Sequence, residues 1–401
     1  YFSFCPYLMV RHKDPLVPKG DWLFAACGDP LNNALIQTET GDPFATNTMV
    51  IFTADKGTYE NISTIAQQAG YGVNMINRYV IPSSVLNLGI SAQSDSFTIL
   101  LRTANFHDQN AGNEFLNNSS CATIFRVTPG STVPQPYDWP NPRNRETGPE
   151  GGVFHSMLQA GLERLKTAII AKTPHSKSQA YDNSARWFYD SRDVLPDNPG
   201  SPAYRKFVAG EGSDTPYLRT SLNGVDPENF KLGSNDMVVV YGVNHAATGL
   251  ATYSNFGIYG EWITNIDNSP SYIIGSNDPI WNGVIGMNSH DFTGSADYYI
   301  PGDPMAPFLY ALRVVRGLVP QKDVHCISVP QPSQTWWVAP DILGGTADGI
   351  AYGQPMLVGY RSYLNSTTNS GPAYDDIIPD RAIWFHKPDV QGALDLLLQA
   401  N

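Results

Sequence analysis

The chain is poor in charge and in cysteine, and it has no long apolar run. Of its 401 residues only 15% are Asp, Glu, Lys or Arg, against roughly 25% in an ordinary soluble domain. The balance is acidic, with 25 Lys and Arg against 37 Asp and Glu and a formal charge of −12. A nucleic-acid partner requires a concentrated basic surface that displaces counterions from phosphate, and no Lys/Arg cluster supplies one. Apolar stretches such as Met237–Val240 and Ile383–Phe385 fall far short of the ~18 residues of a spanning helix, so no transmembrane segment is expected. Familiar catalytic signatures are missing as well. There is no GxSxG elbow, HExxH helix or Walker loop, and Gly210-Glu211-Gly212 stops short of a GxGxxG turn. The eight histidines are scattered, and no two have the i, i+2 or i, i+4 spacing that sets a pair of imidazoles on one strand or helix face. The four cysteines lack CxxC spacing, which excludes the usual structural zinc and c-type haem sites. No metal or cofactor is therefore expected.

Turn-forming and apolar residues are plentiful. The 35 Gly and 31 Pro sit among many Asn, Ser and Thr, a mixture that builds turns and interrupts helices. With 42% hydrophobic and 11% aromatic residues there is ample material for packed cores, so disorder is excluded. A mainly β (α+β) chain with few long helices follows. Cys5 and Cys27 fall in successive expected strands joined by a polar turn, so a disulfide between them is expected, with Cys121 and Cys326 left to form a second. N-glycosylation acceptors occur at Asn61, at Asn118 and at Asn365, the last in a polar loop. The low Lys content, even cysteine count and acceptors together point to a secreted, extracellular glycoprotein. Tyr1 opens directly into a strand-like run without an initiator Met, so a processed or truncated chain is expected.

The two ends of the chain match each other in order. Tyr1-Phe2-Ser3-Phe4-Cys5-Pro6-Tyr7 aligns with Tyr253-Ser254-Asn255-Phe256-Gly257-Ile258-Tyr259 through Tyr-x-x-Phe-x-x-Tyr. Asp29-Pro30 then aligns with Asp278-Pro279, Asp55 with Asp303, and Ile81-Pro82 with Val329-Pro330, all at a nearly constant offset. After an insertion over residues 333–343 the match resumes, Leu101-Arg102-Thr103 with Tyr360-Arg361-Ser362 and Ala122–Arg126 with Ala382–His386. Each repeat reads as short strands around one short helix of about ten residues, at Thr58–Ala69 and at Pro307–Arg316, with Asp55 and Asp303 as N-caps. The expected architecture is two tandem antiparallel β-rich repeats, sandwich-like, over residues 1–130 and 236–401. Between them, 131–235 reads as a loop-rich connector carrying an amphipathic helix at 153–172, where Phe154, Met157, Leu158, Leu162, Leu165, Ala168 and Ile169 recur at three and four. A terminal helix is expected at Val390–Ala400. Repeat two opens with the apolar strand Asp236–Gly242, for which repeat one has no counterpart after Tyr1, so that strand is expected before residue 1 or shared.

Tyr1-Phe2-Ser3-Phe4, followed by a polar turn, an apolar strand and then Phe97-Thr98-Ile99-Leu100-Leu101-Arg102, resembles the β-rich bacterial domains of unknown function numbered 1254 and 1214, which carry comparable aromatic-Ser and Leu-Arg strands. The resemblance implies a fold and no reaction.

Few residues point to chemistry. His245, in the turn after the strongest strand, is the best catalytic candidate. Arg102 and Arg361 occupy matched positions inside apolar strands, where a guanidinium must meet an acceptor or an aromatic ring, and they are candidate ligand-binding residues. Trp336 and Trp337, in the insertion, could form a stacking platform for sugars. Duplicated sheets without converging titratable groups favour a binding, surface or structural protein whose partner is a carbohydrate or another copy of itself. The alternative is an extracellular hydrolase or lyase with its site in the cleft between repeats.

Overall fold

A computed structural model describes residues 1–12, 21–44, 46–118, 121–128, 130, 134–145, 153–186, 195, 212–221, 230–262, 280–316, 324–329, 350, 355–365 and 368–386. It is mainly β with a few helices, the class the turn-rich composition indicates. The chain divides into two compact units. The first comprises Tyr1–Arg143, Phe188–Asp214 and Pro270–Gly275, and the second Asn144–Trp187, Thr215–Ser269 and Ser276–Asn401.

The first unit is organised on one central strand. β1 (Phe2–Arg11) pairs along one edge with β2 (Asp21–Ala26) and β3 (Leu31–Asn32), and along the other with β6 (Ser96–Thr103), all antiparallel. Between these lies a β–α–β unit in which β4 (Met49–Thr53) and β5 (Ile76–Val80) pair in parallel through α1 (Lys56–Gln68). Asp55 starts that helix as expected, accepting from Thr58 N at 2.7 Å, which satisfies one of the amides a helix leaves without a partner. α2 (Gln109–Asn117) follows β6, capped by Asp108. The expected strand Ala122–Arg126 forms no ladder among the described residues; 121–128 is exposed throughout.

The second unit contains α3 (Val153–Lys172), β7 (Lys177–Arg186), β8 (Tyr217–Ser221), β9 (Phe230–Lys231), β10 (Asp236–Val243), β11 (Tyr253–Trp262), β12 (Ile280–Asn288), the single-turn α4 (Ser289–Phe292), β13 (Leu309–Arg316), β14 (Cys326–Val329), β15 (Pro355–Tyr363) and β16 (Arg381–His386). Its strands form one mixed sheet in the order β12-β11-β15-β8-β7-β16-β10-β13-β14, with β9 added to β15. Alternate residues of β10 serve two cores. Val238 and Val240 face a core shared with Leu312, Val314, Phe256, Ile258, Val358 and Tyr360. Met237, Val239 and Tyr241 meet Leu158, Leu162, Leu165 and Ile169 of α3 on the opposite face. The first core draws on strands from both ends of the order, and β12 comes against β14, so the sheet rolls around it. Phe256, Phe292 and Tyr310 stack across this interior, the last two with centroids 4.0 Å apart. α3 presses closely on its face because Gly161 has no side chain; a Cβ there would stand 2.8 Å from Met305 Cβ.

Three expectations are corrected. Pro307–Arg316 is not a helix but the strand β13, inserted between β10 and parallel β14. A strand buried on both faces loses its period-two signature, and Leu-Tyr-Ala-Leu-Arg-Val-Val-Arg then satisfies helical spacing equally well. Asp303 accordingly caps no helix: it accepts from Met305 N at 2.9 Å and pairs with Arg164 at 2.6 Å. Nor is 173–235 a loop-rich connector, because β7, β8 and β9 complete the second unit's sheet. The expected helix Val390–Ala400 and the insertion at 333–343 lie outside the described residues.

Candidate functional site

Each unit holds a buried carboxyl whose pKa burial raises. In the second, Asp380 immediately precedes β16, whose neighbours are β7 and β10. Its backbone carbonyl accepts from Asn183 N at 3.0 Å, extending the ladder by one step. Its carboxyl accepts hydrogen bonds from Asn183 Nδ2 and from the Tyr310 hydroxyl, the latter at 3.3 Å. Gly242 makes room for this arrangement, since a Cβ at 242 would lie 2.9 Å from Asp380 Cβ and 3.0 Å from the Tyr310 ring. Burial disfavours the charged carboxylate and outweighs the two hydrogen bonds, so the Asp380 pKa is pushed up to about 8. The Tyr310 hydroxyl is raised well above its ordinary value by burial and then by the charge of Asp380. The pair thus sets a carboxyl whose protonated form burial favours beside a phenol held against ionisation.

His245 belongs to the same neighbourhood in another role. It is fully buried, its Nε2 lies 3.1 Å from the Ile378 carbonyl oxygen, and its ring meets Tyr360 edge-on at 6.0 Å. Ile378 is two residues from Asp380, so His245 fastens the segment that carries the carboxyl. The expectation of a catalytic histidine displayed on a turn is corrected: the turn folds inward because Asn244 Oδ1 accepts from Ala246 and Ala247 N, drawing His245 into the interior.

In the first unit the counterpart is Asp214, which accepts from Arg143 Nη2 at 2.7 Å, Asn32 Nδ2 at 2.9 Å and the Tyr1 hydroxyl at 2.8 Å. Burial again dominates and lifts the carboxyl to about 6, although Arg143 works in the opposite direction.

The two arginines are in matching registers. Arg102 stands opposite Ser3 in the β1–β6 ladder and Arg361 opposite Asn255 in the β11–β15 ladder, and Ser3 and Asn255 are themselves aligned. Arg102 lies 5.2 Å over the Tyr7 ring. Arg361 lies 5.6 Å over Tyr259, the residue aligned with Tyr7, and 5.2 Å over Tyr217, and donates to the Tyr259 hydroxyl at 2.7 Å. Each guanidinium thus rests on an aromatic face, which occupies it structurally.

No cysteine is in a disulfide. Cys5 lies on β1 and Cys27 directly after β2, and they belong to different clusters, Cys5 with Tyr7 and Met9 and Cys27 with Leu8, Leu23 and Ala25; pairing of the strands does not set the two side chains on one face. Burial raises both thiols, that of Cys5 to about 12, so neither is a reactive thiolate. Cys121 is exposed in the first unit and Cys326 half-buried on β14 in the second, neither in a disulfide. Among the acceptors, Asn61 and Asn118 are exposed. Asn365 is 2% exposed and its Nδ2 donates to the Leu250 carbonyl, so the expected glycan there has no space. Trp336 and Trp337 lie outside the described residues. Among the described residues no His, Cys, Asp or Glu cluster could hold a metal, and no helix is long and apolar enough to cross a membrane. The Asp380–Tyr310–Asn183 cluster was invisible to motif reasoning because its members are dispersed along the chain and meet only through sheet order.

No family model matches the chain, and no curated protein matches it. Among solved structures, the crystal structure of the VPA0106 protein from Vibrio parahaemolyticus is similar to 95% of this chain and 82% of its own, at 10% identity and a TM-score of 0.34.

Proposed function

We propose that this is a secreted binding, surface or structural protein built from duplicated β-rich units. The observation that carries the reading is a set of exposed apolar side chains in the first unit. Phe44, Ile90, Ile124, Phe125 and Val127 are all exposed, and the last three fall within four consecutive residues; exposed large apolar side chains that adjoin one another offer another molecule a place to dock. The matched registers of Arg102 on Tyr7 and Arg361 on Tyr259 support the duplication and assign both arginines to architecture. Exposed Asn61 and Asn118 support passage through a secretory pathway. Binding to carbohydrate arrays, together with molar mass across a concentration series, tests the reading: retention of a glycan or reversible association is expected. A chain that binds nothing and stays monomeric removes it.

A second reading rests on Asp380, a carboxyl whose protonated form burial favours, beside Tyr310. Such a pair is the raw material of general acid–base chemistry, and it favours the hydrolase or lyase alternative. Its test is a panel of glycoside, ester and polyuronate substrates: turnover that disappears in Asp380→Asn would establish the enzyme.

A further inference from the structure

One level of the second unit's sheet is lined by hydroxyls where the levels beside it are lined by large apolar groups. In the antiparallel ladder of β11 and β15, Phe256 stands opposite Tyr360 and Ile258 opposite Val358, and all four belong to the core. In the row next to Phe256 and Tyr360, Ser254 stands opposite Ser362. Side chains two residues apart on a strand share a face, so both serines face the same interior, and both are 0% exposed. Neither Oγ has a hydrogen-bonding partner in the protein. The row continues to either side. Thr215, before β8, accepts from Ser362 N at 2.8 Å and gives its own proton to the Pro216 carbonyl at 3.0 Å. Ser289, directly after β12, accepts from Ser254 N through its Oγ at 3.5 Å, which leaves its own proton to be donated. A hydroxyl buried without a bond forfeits its hydration and gains nothing in return, and here two such groups face each other.

We propose that this level is a hydration site, in which one water molecule buried between β11 and β15 bridges Ser254 Oγ and Ser362 Oγ and takes a third bond from Ser289 Oγ. Two protons and two lone pairs let a water give to one serine, take from the other and take from Ser289, and about three bonds is what a buried water makes. Size points the same way. Directly opposite side chains start from Cβ atoms roughly 4.5–5.5 Å apart, and a serine ends one atom beyond its Cβ, whereas Phe256 and Tyr360 fill the row beside it. The space so freed suits a single water, whose share of volume is about 30 Å³. Complete burial of both serines selects for a ligand small enough to enter through local opening of the sheet. The bridge joins the ends of β11 and β15 behind their ladder, as the stacked rings of Phe256, Phe292 and Tyr310 join the strands deeper in.

Magnetic relaxation dispersion of solvent oxygen counts the waters that a protein holds for longer than it takes to tumble. The full-length wild type is compared with Ser254→Ala/Ser362→Ala, and one fewer long-lived water is expected in the variant, because an apolar gap stays dry. An equal count overturns the proposal. Single variants read the bonds themselves. Ser254→Ala and Ser362→Ala should each lower the urea midpoint, and the double variant should lower it by less than the sum, since the same water is lost once. Additive losses would mean that no molecule bridges the two serines, and a higher midpoint in either single variant would mark a hydroxyl that was buried bare; both results overturn the proposal. Should the double variant fail to fold, a crystal structure of the wild type decides: a water about 2.5–3.0 Å from both Oγ atoms is expected, and a direct bond between the two serines in its place overturns the site.

Discussion

The two units centre on the same strand pair and differ in what surrounds it. β1 with β6 and β11 with β15 run antiparallel in matching register, each with an arginine resting on an aligned tyrosine. Beyond β15 the second unit adds β8, β7, β16 and β10 and rolls the sheet around an interior; beyond β6 the first unit adds no described strand. The consequence appears at the aligned phenylalanines. Phe256 is 1% exposed and stacks with Phe292 and Tyr310, whereas Phe4 is only partly buried and touches Phe2 edge-on at 6.1 Å. A shared register fixes which residues face one another across the ladder. Whether those residues become core or surface depends on how far the sheet extends, because burial needs a second layer.

The largest expected effect breaks this symmetry directly. Phe256→Ala should destabilise the second unit by about 3–5 kcal/mol, the cost of emptying a packed aromatic site. Phe4→Ala, at a half-open site, should cost roughly 1–2 kcal/mol. Urea unfolding of each variant measures both, and equal costs would mean that the two environments are alike. Replacing both phenylalanines would be expected to add the single costs, since the sites share no partner.

Acidity separates the units next. Both buried carboxyls have pKa values raised in the folded state, so the unfolded chain releases their protons at lower pH. Stability is then full below the unfolded value near 4 and falls as pH rises. For Asp214 the fall ends near its folded value of about 6, and for Asp380 near about 8. Each contributes a slope of about 1.4 kcal/mol per pH unit within its own window. Thermal unfolding between pH 5 and 9 should show the second unit still losing stability above pH 6, and Asp380→Asn should flatten that limb.

Smaller effects sharpen the comparison. Arg361→Met removes a cation from two tyrosine faces and a hydrogen bond to Tyr259, and should cost about 2 kcal/mol. Arg102→Met leaves one face uncovered and should cost about 1 kcal/mol. Smallest is the cap: Asp55→Ala should destabilise α1 by about 1 kcal/mol, seen as faster amide exchange in its first turn, while Asp303→Ala should disturb no helix N-terminus.

The parts of this architecture legible in the sequence are those written in local pattern. The apolar stripe of α3, the cap at Asp55 and the strands bearing Arg102 and Arg361 are carried by neighbours in the chain. β13 was misread because burial on both faces erases the alternation that identifies a strand. β7 was missed for the opposite reason: Lys-Ser-Gln-Ala-Tyr-Asp-Asn-Ser-Ala-Arg is polar almost throughout, and its place in the sheet comes from its neighbours β16 and β8. The candidate site is illegible on principle, since Asn183, Tyr310 and Asp380 meet only once sheet order is known. The cysteines show the limit of strand pairing as a guide, for adjacency in a sheet does not determine the face on which a thiol emerges.

The proton on Asp380 also alters the electrical identity of the folded chain. A formal charge of −12 counts every carboxyl as ionised; because burial raises the pKa of Asp380, its own contribution to folding at neutral pH is an uptake of proton, which the Tyr1 amine, lowered by burial, opposes. A refolding mixture held in weak buffer with an indicator dye should turn more alkaline than one of Asp380→Asn, and Gly242, by leaving that carboxyl room to sit against Tyr310, is the reason the proton has somewhere to go.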